Sequence, residues 1–407
     1  MMTLDKQVSN NNFYAFLWHA VFLALANNFM DIDTVIPAMI LDAGGSSLQL
    51  GLLTAVMISS GQVSQLFFAP YLSNQLFKKK FLLLGINLRI FSLLALAVLF
   101  VSADALSGGT VIMLIFVLIA IFAVSGGFAN INYMDILGKS IIQNQRKYFF
   151  SMKQIISSIG VLVSAYFARK ILQTYGFPKN YTFLFTSAGL LLAFASLGFW
   201  RIKEVKADAL KIPHFRNYLS KIATEIKGNK RLKYYLLVLN TQGVVLVLLP
   251  FLILFAKNKM DVANAAVGNY LLLKVIGAVI AGGTLYIFAK KLKYRYLLYI
   301  TSLSAIIISL LVIFVPETYL FPQIFLLAGL IFAFYRMTIG GVLLEVTNSK
   351  NRALYTGISG AGNILPGLYP IFSGWIVGQF SFTAFFVTTI LILMLSIFFI
   401  YKLNCQH

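Results

Sequence analysis

Acidic residues are scarce in this chain. Only 12 Asp and Glu stand against 33 Lys and Arg in 407 residues, and charged side chains make up 11% of the whole. A soluble globular protein carries about 25%, so a charged shell around a water-soluble core is excluded. There is a single cysteine, Cys405, which rules out an intrachain disulfide and dithiol redox chemistry. The three histidines, His19, His214 and His407, are scattered, and no H-E-x-x-H, G-x-S-x-G or cysteine–histidine metal spacing occurs. A phosphate-cradling G-x-x-x-x-G-K-[ST] loop is missing as well, so ATP-driven work by this chain alone is unsupported. We therefore expect no cofactor, no metal and no enzyme activity. The first 12 residues also lack the apolar core and small-residue cleavage site of a removable signal peptide.

What the chain has in abundance is apolar surface. Hydrophobic residues make up 59%, with 37 Phe and 20 Tyr. A spanning helix needs roughly 20 mostly apolar residues, and twelve such runs are found. They lie near 13–42, 47–75, 79–102, 109–137, 147–171, 181–202, 233–257, 264–289, 294–315, 321–345, 352–378 and 383–402. They are too long and continuous for barrel strands, which leaves helices as the means of satisfying the backbone in lipid. The formal net charge of +21 does not indicate nucleic-acid binding, because the basic residues fall in alternate loops and form no face on a soluble module. With the N-terminus inside, the great majority of Lys and Arg lie on the cytoplasmic side, including Lys78, Lys79, Lys80 and the basic residues from Arg201 to Lys233. The positive-inside rule then places both termini in the cytoplasm.

The two halves of the chain resemble each other. Val35-Ile36-Pro37-Ala38-Met39-Ile40-Leu41 reads like Leu248-Leu249-Pro250-Phe251-Leu252-Ile253-Leu254, and Leu50-Gly51 reads like Val267-Gly268. The basic turn Gln75-Leu76-Phe77-Lys78-Lys79 has its counterpart at Lys291-Leu292-Lys293-Tyr294-Arg295, and Gln145-Arg146 has its counterpart at Asn351-Arg352. Matches in this order argue for duplication of a six-helix unit. The fold class is an all-α membrane protein of twelve transmembrane helices in two pseudo-symmetric six-helix bundles. The bundles are residues 1–202 and 233–407, and a cytoplasmic linker, 203–232, joins them. Within the linker, Phe215, Leu219, Ile222 and Ile226 are spaced for an amphipathic helix on an anionic leaflet, or for a solvated basic connection.

On these residues the chain resembles the major facilitator superfamily of secondary transporters over essentially its whole length. That family carries G-x-L-A-D-x-x-G-R-[RK] between spans two and three. Here the stretch Pro70 to Lys79 keeps Leu72, Lys78 and Lys79, but has Pro70, Asn74 and Phe77 at the two glycines and the acid. An acid ending span four and a base opening span five, Asp135 and Arg146, fit a second family feature, and Glu345 and Arg352 repeat it. The resemblance implies gating roles for Asp135, Arg146, Glu345, Arg352 and Lys78, with solvated helix ends as the plainer reading. It implies alternating access in a bacterial inner membrane by a monomer that carries a small-molecule substrate, with H+ as coupling ion.

Ionisable groups inside spans cost about 2.5–3.5 kcal/mol each on insertion scales, and six occur: Asp31, Asp33, Arg89, Lys153, Lys274 and Arg336. If span one is a continuous helix, Asn27, Asp31 and Thr34 form one polar stripe. Asp33 then points about 200° away from Asp31. Asp31 is the favoured proton-coupling carboxylate and Asp33 the second candidate; a fixed salt bridge to one of the cations, or a helix cap before Pro37, are the structural alternatives. Lys274 shares a stripe with Tyr270, and Arg336 and Lys153 are further cavity cations by the resemblance. Arg89, on span three, reads better as an interhelix hydrogen-bond donor. Substrate contacts are therefore expected from Lys274, Arg336, Lys153, Asn27 and Tyr270. A surplus of cations favours a small organic anion or zwitterion. If the acids neutralise the cations, the pocket suits amphiphiles and the chain is an exporter of lipophilic compounds. A membrane receptor that does not transport is the rival from another class.

Overall fold

The computed structural model describes residues 5–73, 75–205, 224–260, 262–288, 292–314, 320–346, 358–360 and 362–403. Most of the 215–226 stretch, Asn74 and Arg352 lie outside the described residues. Within them the chain is helical and contains no strand. The N-terminal helices are α1 (Lys6–Ala26), α2 (Val35–Asp42), α3 (Ser47–Ser73), α4 (Lys79–Val101), α5 (Gly108–Ser140), α6 (Gln143–Thr174) and α7 (Lys179–Arg201). After the linker come α8 (Lys230–Gln242), α9 (Val245–Lys259), α10 (Asn264–Phe288), α11 (Tyr294–Phe314), α12 (Phe321–Val346), α13 (Ile364–Gln379) and α14 (Phe382–Leu403). Among the described residues, ten stretches are long and apolar enough to cross a membrane.

Two of these stretches are interrupted, and both interruptions precede a proline. In the first, α1 gives way to a 3-10 turn at Asn27–Met30, residues 31–34 are not helical, and α2 begins at Val35. Pro37 then sits in the first turn of α2, where its missing N–H would have no intrahelical partner anyway. The second stretch breaks at residues 243–244 between α8 and α9, with Pro250 inside α9. The expectation of one continuous helix over 13–42 is thus corrected. The stripe of Asn27, Asp31 and Thr34 does not form, because the helical register is lost between its members.

The chain divides into two compact units. Unit 1 comprises Met1–Asp31, Asp42–Gly44 and Ser60–Ile212; unit 2 comprises Ile32–Leu41, Gly45–Ser59 and Pro213–His407. The same internal pairings recur in each. In unit 1, α1 packs on α7, α4 on α5 and α4 on α7; in unit 2, α8 packs on α14, α11 on α12 and α11 on α14. The sequence repeat therefore has a structural counterpart.

Lipid tails are as apolar as the side chains, so helices associate through close packing and not through a hydrophobic drive. Glycines allow that approach in unit 2. A methyl group on Gly329 would collide with the backbone carbonyl of Lys274, and one on Gly277 with that of Leu326. The pair locks α10 to α12. On α3 and α13, Gly51 faces the Pro370 carbonyl and Gly374 faces that of Ser47, while the Ser47 hydroxyl donates to the Gly374 carbonyl at 3.0 Å. Gly329→Ala should destabilise the protein by about 1–3 kcal/mol through overpacking, read as a lower unfolding temperature in detergent. Gly282→Ala, on α10 with nothing within 4 Å of its new methyl group, should shift it within about 0.5 kcal/mol.

Candidate functional site

The break at residues 31–34 releases two carboxylates from the helix. Asp33 is buried, and its Oδ2 accepts a hydrogen bond from Lys274 Nζ at 2.6 Å, with side-chain exposures of 8% and 12%. Both residues belong to unit 2. Counting about 1.5 Å per residue along α10 from Asn264 puts Lys274 about 15 Å deep, where an isolated charge is costly. Gly329 holds the Lys274 backbone against α12, so the ammonium projects from a fixed point. Tyr270, one turn away, is buried and stacked flat on Phe325 with ring centroids 4.3 Å apart. Gly277 and Ala281 complete the stripe, which is largely the α10 packing face.

The other expected substrate contacts divide between the units. Asn27 is exposed on its 3-10 turn and Asp31 is partly buried. Arg336 is exposed on α12. In unit 1, Lys153 Nζ donates to the Tyr133 hydroxyl at 3.3 Å and lies 5.1 Å from that ring's centroid. Tyr133 belongs to an aromatic group with Phe16, His19 and Phe199, in which His19 and Phe199 are 4.0 Å apart. Arg89 does not behave as the interhelix donor its position suggested. Its guanidinium stacks on Phe122, 4.4 Å from the ring centroid, and its buried Nε has no acceptor among the described residues.

The expected gate residues make contacts at helix ends. Lys78 is buried and pairs with Asp135 at 3.2 Å, and Lys139 reaches the same carboxylate at 2.5 Å. Arg146 does not pair with Asp135 in the described contacts. It donates instead to the carbonyls of Ile141 and Gly138, capping the end of α5. This geometry follows from helix ends, whose last carbonyls lack intrahelical partners and attract cations. Glu345, mostly buried on α12, lies 3.9 Å from Arg231 at the start of α8.

The profile of the Major Facilitator Superfamily matches residues 17–358. The chain belongs to this superfamily. Among curated proteins no sequence match is significant. Solved structures resemble it over nearly their full length. One is a POT family transporter in complex with a thioalcohol-conjugated peptide, with TM-score 0.70, 12% identity and 96% of each chain covered. A bacterial homologue of the iron transporter ferroportin in its inward-facing state matches at TM-score 0.69 and 12% identity, with 98% of each chain covered. The nucleoside transporter NupG matches at TM-score 0.63 and 17% identity, covering 97% of this chain and 98% of its own. At such identities the likeness establishes the fold, that of a multi-pass membrane protein.

For this facilitator chain, sequence reasoning missed Glu204. Its carboxylate accepts from the backbone N–H groups of Lys78 and Lys79, capping α4, while Lys79 Nζ donates to the carbonyls of Trp200 and Ile202 at 2.7 and 2.9 Å. Asn12 adds two bonds of 2.9 Å to the backbone of Lys203. The available signal was an acid among the many bases from Arg201 to Lys233, where Glu204, Asp208 and Glu225 are the three carboxylates. Asn28 was also missed; it donates to Val161 O at 2.7 Å and Ser164 Oγ at 2.8 Å, tying the break in span one to α6.

Removing one member of a buried ion pair strands the other charge. Asp33→Asn or Lys274→Met alone should each cost about 3–5 kcal/mol of stability. The double variant should recover most of that loss, as read by thermal unfolding in one detergent.

Proposed function

We propose that this chain is a secondary active transporter that moves a small organic anion or zwitterion by alternating access, coupled to H+. In this reading it is a monomer of twelve spans in two six-helix bundles, 1–202 and 233–407, joined by the 203–232 linker. It resides in a bacterial inner membrane with both termini in the cytoplasm, and it is a carrier without enzyme activity. The observation that carries the proposal is the buried ion pair between Asp33 and Lys274.

The coupling follows from charge conservation at low dielectric. The pair as it stands is neutral overall. Protonation of Asp33 alone would give the pair a net positive charge, and an arriving carboxylate alone would give it a net negative one. A proton on Asp33 together with a substrate carboxylate on Lys274 is again neutral. Each charged intermediate carries a penalty of about 2.5–3.5 kcal/mol, roughly a hundredfold in population. Proton and anion therefore enter and leave together. Asp33 is preferred to Asp31 for the coupling role because its buried carboxylate meets Lys274 Nζ at 2.6 Å.

A thermal-shift screen of metabolite anions supplies the solute, and flux is then measured in proteoliposomes. Asp33→Asn should abolish accumulation driven by a pH gradient and leave counterflow intact. Undiminished gradient-driven accumulation in that variant would refute the coupling. The Tyr270–Phe325 stack supports a second reading, export of amphiphiles, which broad tolerance of cationic dyes on overexpression would favour. Binding without any flux would point to a receptor.

A further inference from the structure

Unit 1 holds two cations inside its helices that the coupling scheme leaves unused. Arg89 lies on the row Gly85, Arg89, Ser92, Leu96 of α4, whose other members are all buried, while Leu84, Leu88, Phe91 and Val98 form the exposed face. Its side chain is thus directed into the unit and away from lipid. Gly126 on α5 makes room for it, since a methyl group there would come within 3.3 Å of Nε. Phe122 supplies a flat wall. Among the described residues, Arg89 has neither a hydrogen-bond acceptor nor a carboxylate partner. Lys153 likewise meets only the hydroxyl and ring of Tyr133. It stands on the α6 row that continues through Gly160 and Ser164, which face α1. Ile86 and Ile90, on either side of Arg89, and Met152, next to Lys153, pack into one cluster with Phe16, Tyr133 and Phe199, so the helix segments that carry both cations border the same aromatic group.

A guanidinium carries five N–H donors in a planar fork that matches a carboxylate. Stacking on a ring satisfies its face and leaves that fork open. A structural arginine at this depth would spend its donors on carbonyls of neighbouring helices, as Arg146 does at the end of α5. Arg89 does not. We infer that Arg89 and Lys153 form an anion-binding site within unit 1 for an organic carboxylate, with the Arg89 fork gripping the carboxylate and the aromatic group flanking its apolar body. The ligand class rests on the reading of the chain as an organic-anion carrier, but binding can be measured without transport. A failed flux assay and a failed binding assay are therefore separate results.

The experiment uses the full chain in nanodiscs of phosphatidylcholine, with unfolding temperature recorded at constant ionic strength. Benzoate, which combines a carboxylate with an aromatic body, should raise the wild-type midpoint by about 2–4 °C relative to chloride. That shift should vanish in Arg89→Gln and shrink in Arg89→Lys, which keeps the charge and loses the fork. Without anion, Arg89→Gln should unfold at or above the wild-type temperature, because binding residues are held at the expense of stability. The proposal is overturned if benzoate leaves the wild type unmoved or shifts Arg89→Gln equally. It also fails if Arg89→Gln without anion unfolds below wild type, the mark of a structural arginine. Stabilisation by inorganic phosphate or by phosphatidylglycerol nanodiscs, with none from benzoate, would likewise overturn it in favour of a phosphate ligand.

Discussion

A charge inside a bilayer must find a partner in the protein, and this requirement organises the structure. Within the described residues the demand is met in three ways. Asp33 and Lys274 neutralise each other at 2.6 Å. Helix ends absorb charge through their unpaired backbone groups, as Glu204 does for α4 and as Lys79 and Arg146 do for α7 and α5. Arg89 and Lys153 rest on aromatic rings. The first two solutions close on themselves. The third leaves donors open, and open donors at that depth are where a solute gains most by binding.

Backbone geometry prepares the ion pair. A continuous helix through residues 27–42 would have used the carbonyls and register of Asp31 and Asp33 for its own ladder. Pro37 cannot donate to that ladder, and the chain unwinds just before it. Irregular backbone at bilayer depth is tolerated where it is enclosed by protein or lines a polar cavity. The buried amide of Asn28, bonded to α6, shows how neighbouring side chains hold such a break in place. The second half repeats the device around residues 243–244, again ahead of a proline. There Asn240 donates to the Gly362 carbonyl and accepts from the N–H groups of Ile364 and Leu365.

Packing at the other extreme is just as specific. Gly277 and Gly329 bring α10 and α12 into backbone contact, and that contact sets where the Lys274 side chain starts. A lysine on a loosely held helix could swing its long side chain among several partners. Here the approach of α12 narrows the choice. The superfamily membership of the chain describes a scaffold shared with transporters of very different cargo, so the chemistry of this one resides in a handful of such positions.

Much of the architecture was legible in the sequence. The apolar runs located the helices to within a few residues, as at α4, α10 and α11, because lipid demands long uninterrupted apolar segments. The prolines at 37 and 250 were legible as matching places of a repeat, but the breaks ahead of them were not. The list of buried charges was also readable, since few charges occur in apolar runs. Which charge meets which was not. The pairing of Asp33 with Lys274 could not be read from periodicity, because a break in a helix resets side-chain direction and periodicity assumes that no break exists. Asp135 chose Lys78 and Lys139 over Arg146, and Glu204 reached the α4 cap from far along the chain. Those partners lie as much as 241 residues apart, and only helix packing brings them together. Local composition determines what must lie in the membrane; contacts between distant segments decide what each buried charge is for.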